Sequence, residues 1–202
     1  MEILVIDADS VLLNNNFKYG DVVPRLHIGY ILSLLETNNY PYHFLDCRLV
    51  KDINDELLSY KDLDIVLISF NTYDYKFAFS LADFFTDKIV IGIGPHASAL
   101  PHTVVYENSP FDYVLRGECE YDLIKLIEDL NNKKDLDEIK GLYSLGKQNS
   151  MASIVTDLDG LPYPKYHAFD GAYYDILPVP FFKKVKWGYL NASRGCPNLC
   201  TY

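Results

Sequence analysis

The chain has 202 residues, with 28 Asp and Glu against 18 Lys and Arg, for a formal charge of −10. That length suggests one full domain and a fraction of a second, able to bury roughly 70% of its unfolded surface without disulfide staples. The acidic balance argues against a main role on nucleic acid or anionic lipid, the 17 Tyr and 11 Phe argue against disorder, and no apolar run approaches the ~20 residues of a membrane helix.

The first apolar run, residues 3–6, is followed at once by Asp7. It is too short and its flank too acidic for a signal peptide, so a cytoplasmic protein with no membrane partner is expected. Further β-branched runs fall at 42–45, 65–68, 89–93 and 113–115, starting about every 23 residues. That is the length of one strand, one helix and two short loops. Between the runs, Ile28, Ile31, Leu32 and Leu35 make a helical stripe, with Pro24 suited to its first turn. Phe77, Leu81, Phe84 and Phe85 make a second, behind possible caps at Asn71, Thr72 and Asp74. Leu123, Ile127 and Leu130 make a third, with Glu118 and Glu120 near its start and Lys133 and Lys134 beyond its end, as the helix dipole favours.

Continuously apolar strands alternating with helices imply an α/β fold with a parallel sheet covered on both faces. Five such units suit a flavodoxin-like (Rossmann-like), doubly wound five-stranded sheet in the order 2-1-3-4-5, whose ligands bind beyond the carboxyl ends of the strands. Four loops then matter: 7–21, 69–74, 92–98 and 116–120. After Asn131, residues 141–145 and 153–156 read as a hairpin around Gly146-Lys147-Gln148-Asn149. Next come a linker punctuated by Pro162 and Pro164 and one more strand candidate at 187–191.

Common ligands of such a sheet fit poorly. A phosphoacceptor receiver needs acidic residues after the first strand, which Asp7 and Asp9 could supply, but also an Asp after the third and a Lys on the fifth. This chain has Ser69-Phe70-Asn71 and Arg116 there. A flavodoxin needs a Ser/Thr/Gly-rich phosphate loop where this chain has Asp7-Ala8-Asp9-Ser10-Val11. Gly92-Ile93-Gly94-Pro95-His96 permits a close backbone approach, to a ligand or merely within a tight turn. His96 reads as a ligand or as a hydrogen-bonded cap, and Arg116-Gly117-Glu118 as a binding loop or a helix start. Cys47 and Cys119 read as small, partly buried residues. Cys196 and Cys200, four apart, cannot by themselves complete a tetrahedral metal site.

Taken in order, several motifs resemble the N-terminal portion of cobalamin-binding radical S-adenosylmethionine enzymes, the class B methyltransferase-like group. They are Pro24-Arg-Leu-His-Ile-Gly29-Tyr30-Ile31-Leu32, Gly94-Pro95-His96-Ala97-Ser98, Arg116-Gly117-Glu118-Cys119-Glu120, Asp157-Leu-Asp159-Gly-Leu161-Pro162-Tyr-Pro164 and Ser193-Arg194-Gly195-Cys196-Pro197-x-x-Cys200. The resemblance implies a cobalamin-binding domain over 1–130, a hairpin and proline-rich linker over 131–164, and the truncated start of a radical-SAM barrel over 165–202. It implies cobalamin contacts from Ser69, Asn71, Thr72, Gly92, Gly94, Pro95, His96, Arg116, Gly117 and Glu118. Cys196 and Cys200 would ligate a 4Fe-4S cluster that cleaves S-adenosylmethionine in the complete enzyme, whose radical-SAM barrel is separate from this chain or missing. Ile93 and Cys119 stand where the group has glycines, and a side chain at 93 would narrow the channel for the cobalamin tail. No Asp-x-His-x-x-Gly signature occurs, so cobalt would lack a histidine from that motif, and His96 is the histidine expected on the ligand edge. With two cluster cysteines, the chain alone is expected not to be catalytic. The competing reading is a non-enzymatic interaction module that keeps the fold and has lost its ligand.

Overall fold

The computed structural model describes residues 1–10, 24–50, 52–60, 62–152, 154–169, 190–196 and 198. Its centre is a mostly parallel, Rossmann-like sheet of seven strands in the order β2-β1-β3-β4-β5-β6-β7. The first five, β1 (Ile3–Asp7), β2 (Tyr42–Asp46), β3 (Ile65–Ser69), β4 (Ile89–Ile93) and β5 (Tyr113–Leu115), pair in parallel. The last two, β6 (Leu142–Ser144) and β7 (Lys147–Gln148), are antiparallel.

The central strands β1, β3 and β4 are apolar along nearly their whole length because both sheet faces are covered. Ile3 and Val5 of β1 join Ile65, Leu67, Ile91, Ile93 and Leu115 under α1 (Leu26–Thr37) and α6 (Glu120–Asn131). Leu4 and Ile6 join Val66, Ile68, Val90 and Val114 on the opposite face. There they meet α2 (Ile53–Leu57), α3 (Tyr75–Ala82), α4 (Pro95–Ala99) and α5 (Pro101–Val104) through Leu57, Leu81, Ala97 and Val104. Successive strand residues point to opposite faces, so a two-sided core needs an apolar residue at every position. None of the described helices is long and apolar enough to cross a membrane.

Three expectations need correction. The sheet has seven strands rather than five, because the hairpin joins its edge through β5. The second arm of that hairpin is Lys147–Gln148, expected to be the turn; of the expected arm at 153–156, residue 153 lies outside the described residues and 154–156 are not in a strand. Gly146, at φ +71, closes the turn two residues after β6, and the Arg116 guanidinium ties the two arms together through the carbonyls of Gly141, before β6, and Asn149, after β7. In the second helical stripe, α3 gives way to a 3-10 turn at Asp83–Phe85, which buries Phe85 and leaves Phe84 exposed. Of the strand candidate at 187–191, residues 187–189 lie outside the described residues, and Leu190 and Asn191 are not in a strand.

The segment after the hairpin runs back across α1. Leu161 packs against Leu34, Ser33 Oγ donates to the Tyr163 carbonyl at 2.6 Å, and the Lys165 amide donates to the Gly29 carbonyl at 2.9 Å. Lys165 pairs with Glu36. Phe169 enters the core edge-on to Phe44. A Cβ at position 29 would stand 3.0 Å from Pro164 Cβ, so the glycine on this helix admits the crossing strap.

Candidate functional site

The carboxyl ends of β1 and β2 carry a buried charge cluster. Asp7 and Asp46 are register neighbours, and the Arg48 guanidinium bridges them, with Nη2 at 3.0 Å from Asp7 Oδ2 and 2.8 Å from Asp46 Oδ2. Arg25, just before α1, reaches Asp9 at 2.7 Å and Asp7 at 3.3 Å. The acidic residues of a receiver-type cation site are therefore engaged by two guanidinium groups. Burial pushes the Asp7 carboxyl up to about 7, against the pull of Arg48 and Arg25.

Beside this cluster, above β4 and β5, lies a cavity of about 490 Å³, within the size range of small-molecule sites. Its floor is Ile31, Ile93 and Cys119, and its polar lining includes His27, Ser98, Glu118 and Glu120. Asn191, Ser193, Arg194 and Gly195 close one side. His27, Tyr30 and Ile31 stand at i, i+3 and i+4 on α1, which places them on one helix face. Burial, with the nearby charges of Arg25 and Arg194, lowers the His27 ring to about 4, so it is neutral near pH 7. Its Nε2 lies 2.9 Å from Ser69 Oγ. Burial also pushes the Cys119 thiol up to about 12.

The β4–α4 turn is shaped by Gly94, at φ +97, where a Cβ would stand 2.7 Å from the Phe70 carbonyl oxygen. That contact lets the loops after β3 and β4 abut, and Pro95 then opens α4 at its first turn. Gly117, at φ +73, turns the chain out of β5, and its amide donates to Ser98 Oγ at 2.9 Å. Glu118 accepts from the Val155 amide.

Of the residues expected at the ligand edge, Gly94, Pro95, Gly117 and Glu118 line this cavity. The others have different surroundings. A Cβ on Gly92 would meet Val104, Val114 and Phe111, on the opposite face from Ile93. His96 is buried between Phe70 and Tyr75, with Thr72 Oγ1 and Thr103 Oγ1 each 3.2 Å from its ring nitrogens. Burial lowers its pKa. Asn71 caps its own loop by accepting from the Tyr73 and Asp74 amides. Ser69 sits behind His27 and Gly94 rather than in the lining, and Arg116 holds the hairpin. Cys196 is exposed, and Cys200 lies outside the described residues. Sequence reasoning misses His27, Tyr30, Ser98, Glu120 and Arg194 as site residues, although each falls inside one of the family-like motifs. The i, i+3, i+4 spacing of His27, Tyr30 and Ile31 is the signal that could have found the first two.

No family model matches the chain. It is 25% identical to an uncharacterized methyltransferase of Pyrococcus horikoshii, over 91% of this chain and 41% of that protein. It is 26% identical to the cytidylyl-2-hydroxyethylphosphonate methyltransferase of Streptomyces wedmorensis, over 100% of this chain and 47% of that protein. The chain thus spans less than half the length of these curated relatives. Among solved structures it resembles the cobalamin-dependent S-adenosylmethionine radical enzyme OxsB, determined with aqua-cobalamin and S-adenosylmethionine bound. The TM-score is 0.68 and the identity 20%, over 81% of this chain and 24% of that one. It also resembles the radical S-adenosylmethionine methyltransferase TsrM of Kitasatospora setae, at a TM-score of 0.58 and 16% identity, over 84% of this chain and 33% of that one. These structural neighbours come from the group that the sequence motifs resemble.

Proposed function

We propose that this chain is a cobalamin-binding module of a radical S-adenosylmethionine enzyme. Residues 1–130 form the cobalamin domain, 131–164 the hairpin and linker, and 165–202 the start of the radical-SAM domain. One observation carries the reading. The glycine turns after β4 and β5 and the Ser193-Arg194-Gly195 segment, which leads into Cys196, line one cavity at the carboxyl edge of the sheet. The lining suits part of a large, amide-bearing cofactor. Its floor is apolar, and Glu120, whose Oε2 is a buried acceptor without a hydrogen-bond partner, is among its polar lining residues. A volume of about 490 Å³ accepts a tail or an edge of cobalamin rather than the whole molecule.

Within this reading, Gly94, Pro95, Gly117 and Glu118 hold the cofactor directly. Ser69 orients His27, and Asn71 and Thr72 fix the loop after β3. Gly92, His96 and Arg116 support the turns from behind. His27 presents a neutral ring, and Ile31, Ile93 and Cys119 exclude water from the floor. Bound cobalamin would supply a methyl-carrying cobalt. In the complete enzyme, Cys196 and Cys200 would contribute to a 4Fe-4S cluster that binds S-adenosylmethionine, and the overall reaction would be methyl transfer from S-adenosylmethionine. Titrating the purified chain with hydroxocobalamin is expected to give a saturable change in the visible spectrum and cofactor that survives desalting. An unsaturable spectrum and complete loss on desalting would instead favour the interaction-module reading.

A further inference from the structure

Three segments distant in sequence meet at one guanidinium. Arg194 Nη2 lies 2.7 Å from Glu120 Oε1, and Nη1 lies 3.6 Å from Glu118 Oε2. The guanidinium carbon stands 4.9 Å from the centre of the Tyr30 ring. Glu118 belongs to the β5–α6 loop, Glu120 to the first turn of α6, and Tyr30 to α1. The site is sheltered, with Arg194 17% and Glu120 5% exposed at the side chain. Among the described residues, no backbone–backbone hydrogen bond ties 190–196 to the sheet domain. The seating of this segment therefore depends on its side chains, and Arg194 makes the ionic contacts. Charge-assisted hydrogen bonds in a sheltered place are among the stronger polar contacts, and a guanidinium over an aromatic face adds to them.

We infer that Arg194 is a positioning residue, a clasp that seats the cysteine-bearing segment on the cavity rim through Glu120, Glu118 and Tyr30. The cavity and Cys196 then share a wall. Whatever fills the cavity touches the segment that presents the thiol, two residues from the clasp. The inference rests on the proposed function only for what fills the cavity and what the thiol binds. The clasp itself is a property of this chain.

Limited trypsinolysis tests it without any cofactor. Trypsin must capture the Arg194 side chain to cut before Gly195, so cleavage there reports the open fraction of the clasp when opening is fast. Glu120→Gln is expected to speed this cut about tenfold, and Glu118→Gln less. Arg194→Lys keeps a cleavable site but loses the planar fork, and should also be cut faster. Cleavage after the exposed Lys147 monitors the rest of the fold and should not change. As a second measurement, a nitroxide on Cys196 in a Cys200→Ser background, with Cys47 and Cys119 buried, reports segment mobility. Arg194→Gln and Glu120→Gln should each mobilise the label, and the double variant no further. Unchanged cutting at 194, unchanged label mobility, or additive effects in the double variant would overturn the clasp. None of these readouts involves hydroxocobalamin retention, so failure of the clasp and failure of the cobalamin reading are distinguishable.

Discussion

Asp7→Asn is expected to make the protein acid-sensitive relative to the unsubstituted chain, by roughly 3 kcal/mol between pH 6.5 and pH 4. The reason is a pair of opposed titrations. Unfolded, Asp7 releases its proton near 3.8; folded, it holds it up to about 7. Between those values the native state binds the extra proton, so this group's contribution to stability falls as pH rises. His27 acts in the other direction. Unfolded, it takes a proton near 6.5; folded, only near 4. In that window the native state binds fewer protons, so stability falls as pH drops. Each group contributes a slope of about 1.4 kcal/mol per pH unit where it acts, and over the shared window the two cancel. Asp7→Asn leaves the His27 slope exposed, and His27→Gln leaves that of Asp7, with the opposite sign. Urea midpoints of both variants and the parent chain, measured from pH 4 to 7.5, check this. Variant curves running parallel to the parent's would show that neither burial shift is present.

Gly94→Ala is expected to cost about 3 kcal/mol or more and to impair retention of any ligand in the cavity. At φ +97 and ψ −175 the residue occupies a region essentially restricted to glycine. The strain alone is worth about 1–3 kcal/mol. A Cβ would also meet the Phe70 carbonyl oxygen at 2.7 Å, a backbone atom that cannot rotate aside. The adjustment must push the loops after β3 and β4 apart, and the second of these forms the cavity wall. Gly146→Ala separates the two contributions. Its φ is +71, with nothing within 4 Å of the added carbon, so only a left-handed penalty of about 1–2 kcal/mol is expected. Thermal melts of the two variants make the comparison. Equal losses would mean that the contact with Phe70 relaxes freely.

The alternation of strands and helices is legible in the sequence because the sheet is buried on both faces. Residues 3–6 and 65–68 are apolar at every position, and the helical stripes fall where packing requires them. The second arm of the hairpin is not legible, since Lys147 and Gln148 have no strand character of their own. They pair because Gly146 closes the turn early and Arg116 holds the carbonyls on either side of the hairpin. At the site, glycine marks the turns but not the faces. Gly92 and Gly94 lie two apart in one motif, yet Gly92 faces the core behind the sheet while Gly94 forms the cavity wall. The motif around His96 makes it the expected ligand-edge histidine. The cavity instead receives His27, which helical spacing alone brings beside Tyr30 and Ile31. Arg194 is visible as part of a cysteine motif, but its pairing with Glu120 joins elements far apart in the chain, and no local pattern encodes that.

The strap over α1 governs how this unit can be joined to others. Residues 161–169 are docked by Leu161, Lys165 and Phe169 onto the helix that also presents His27 and Tyr30 to the cavity. Polypeptide continuing from Phe169 therefore starts from a point anchored on α1. In a chimera that exchanges the downstream polypeptide, the splice belongs after Phe169. A cut in the proline-rich stretch before it would discard the contacts at Gly29 and Ser33, and the grafted part would no longer be tethered to the helix that lines the pocket.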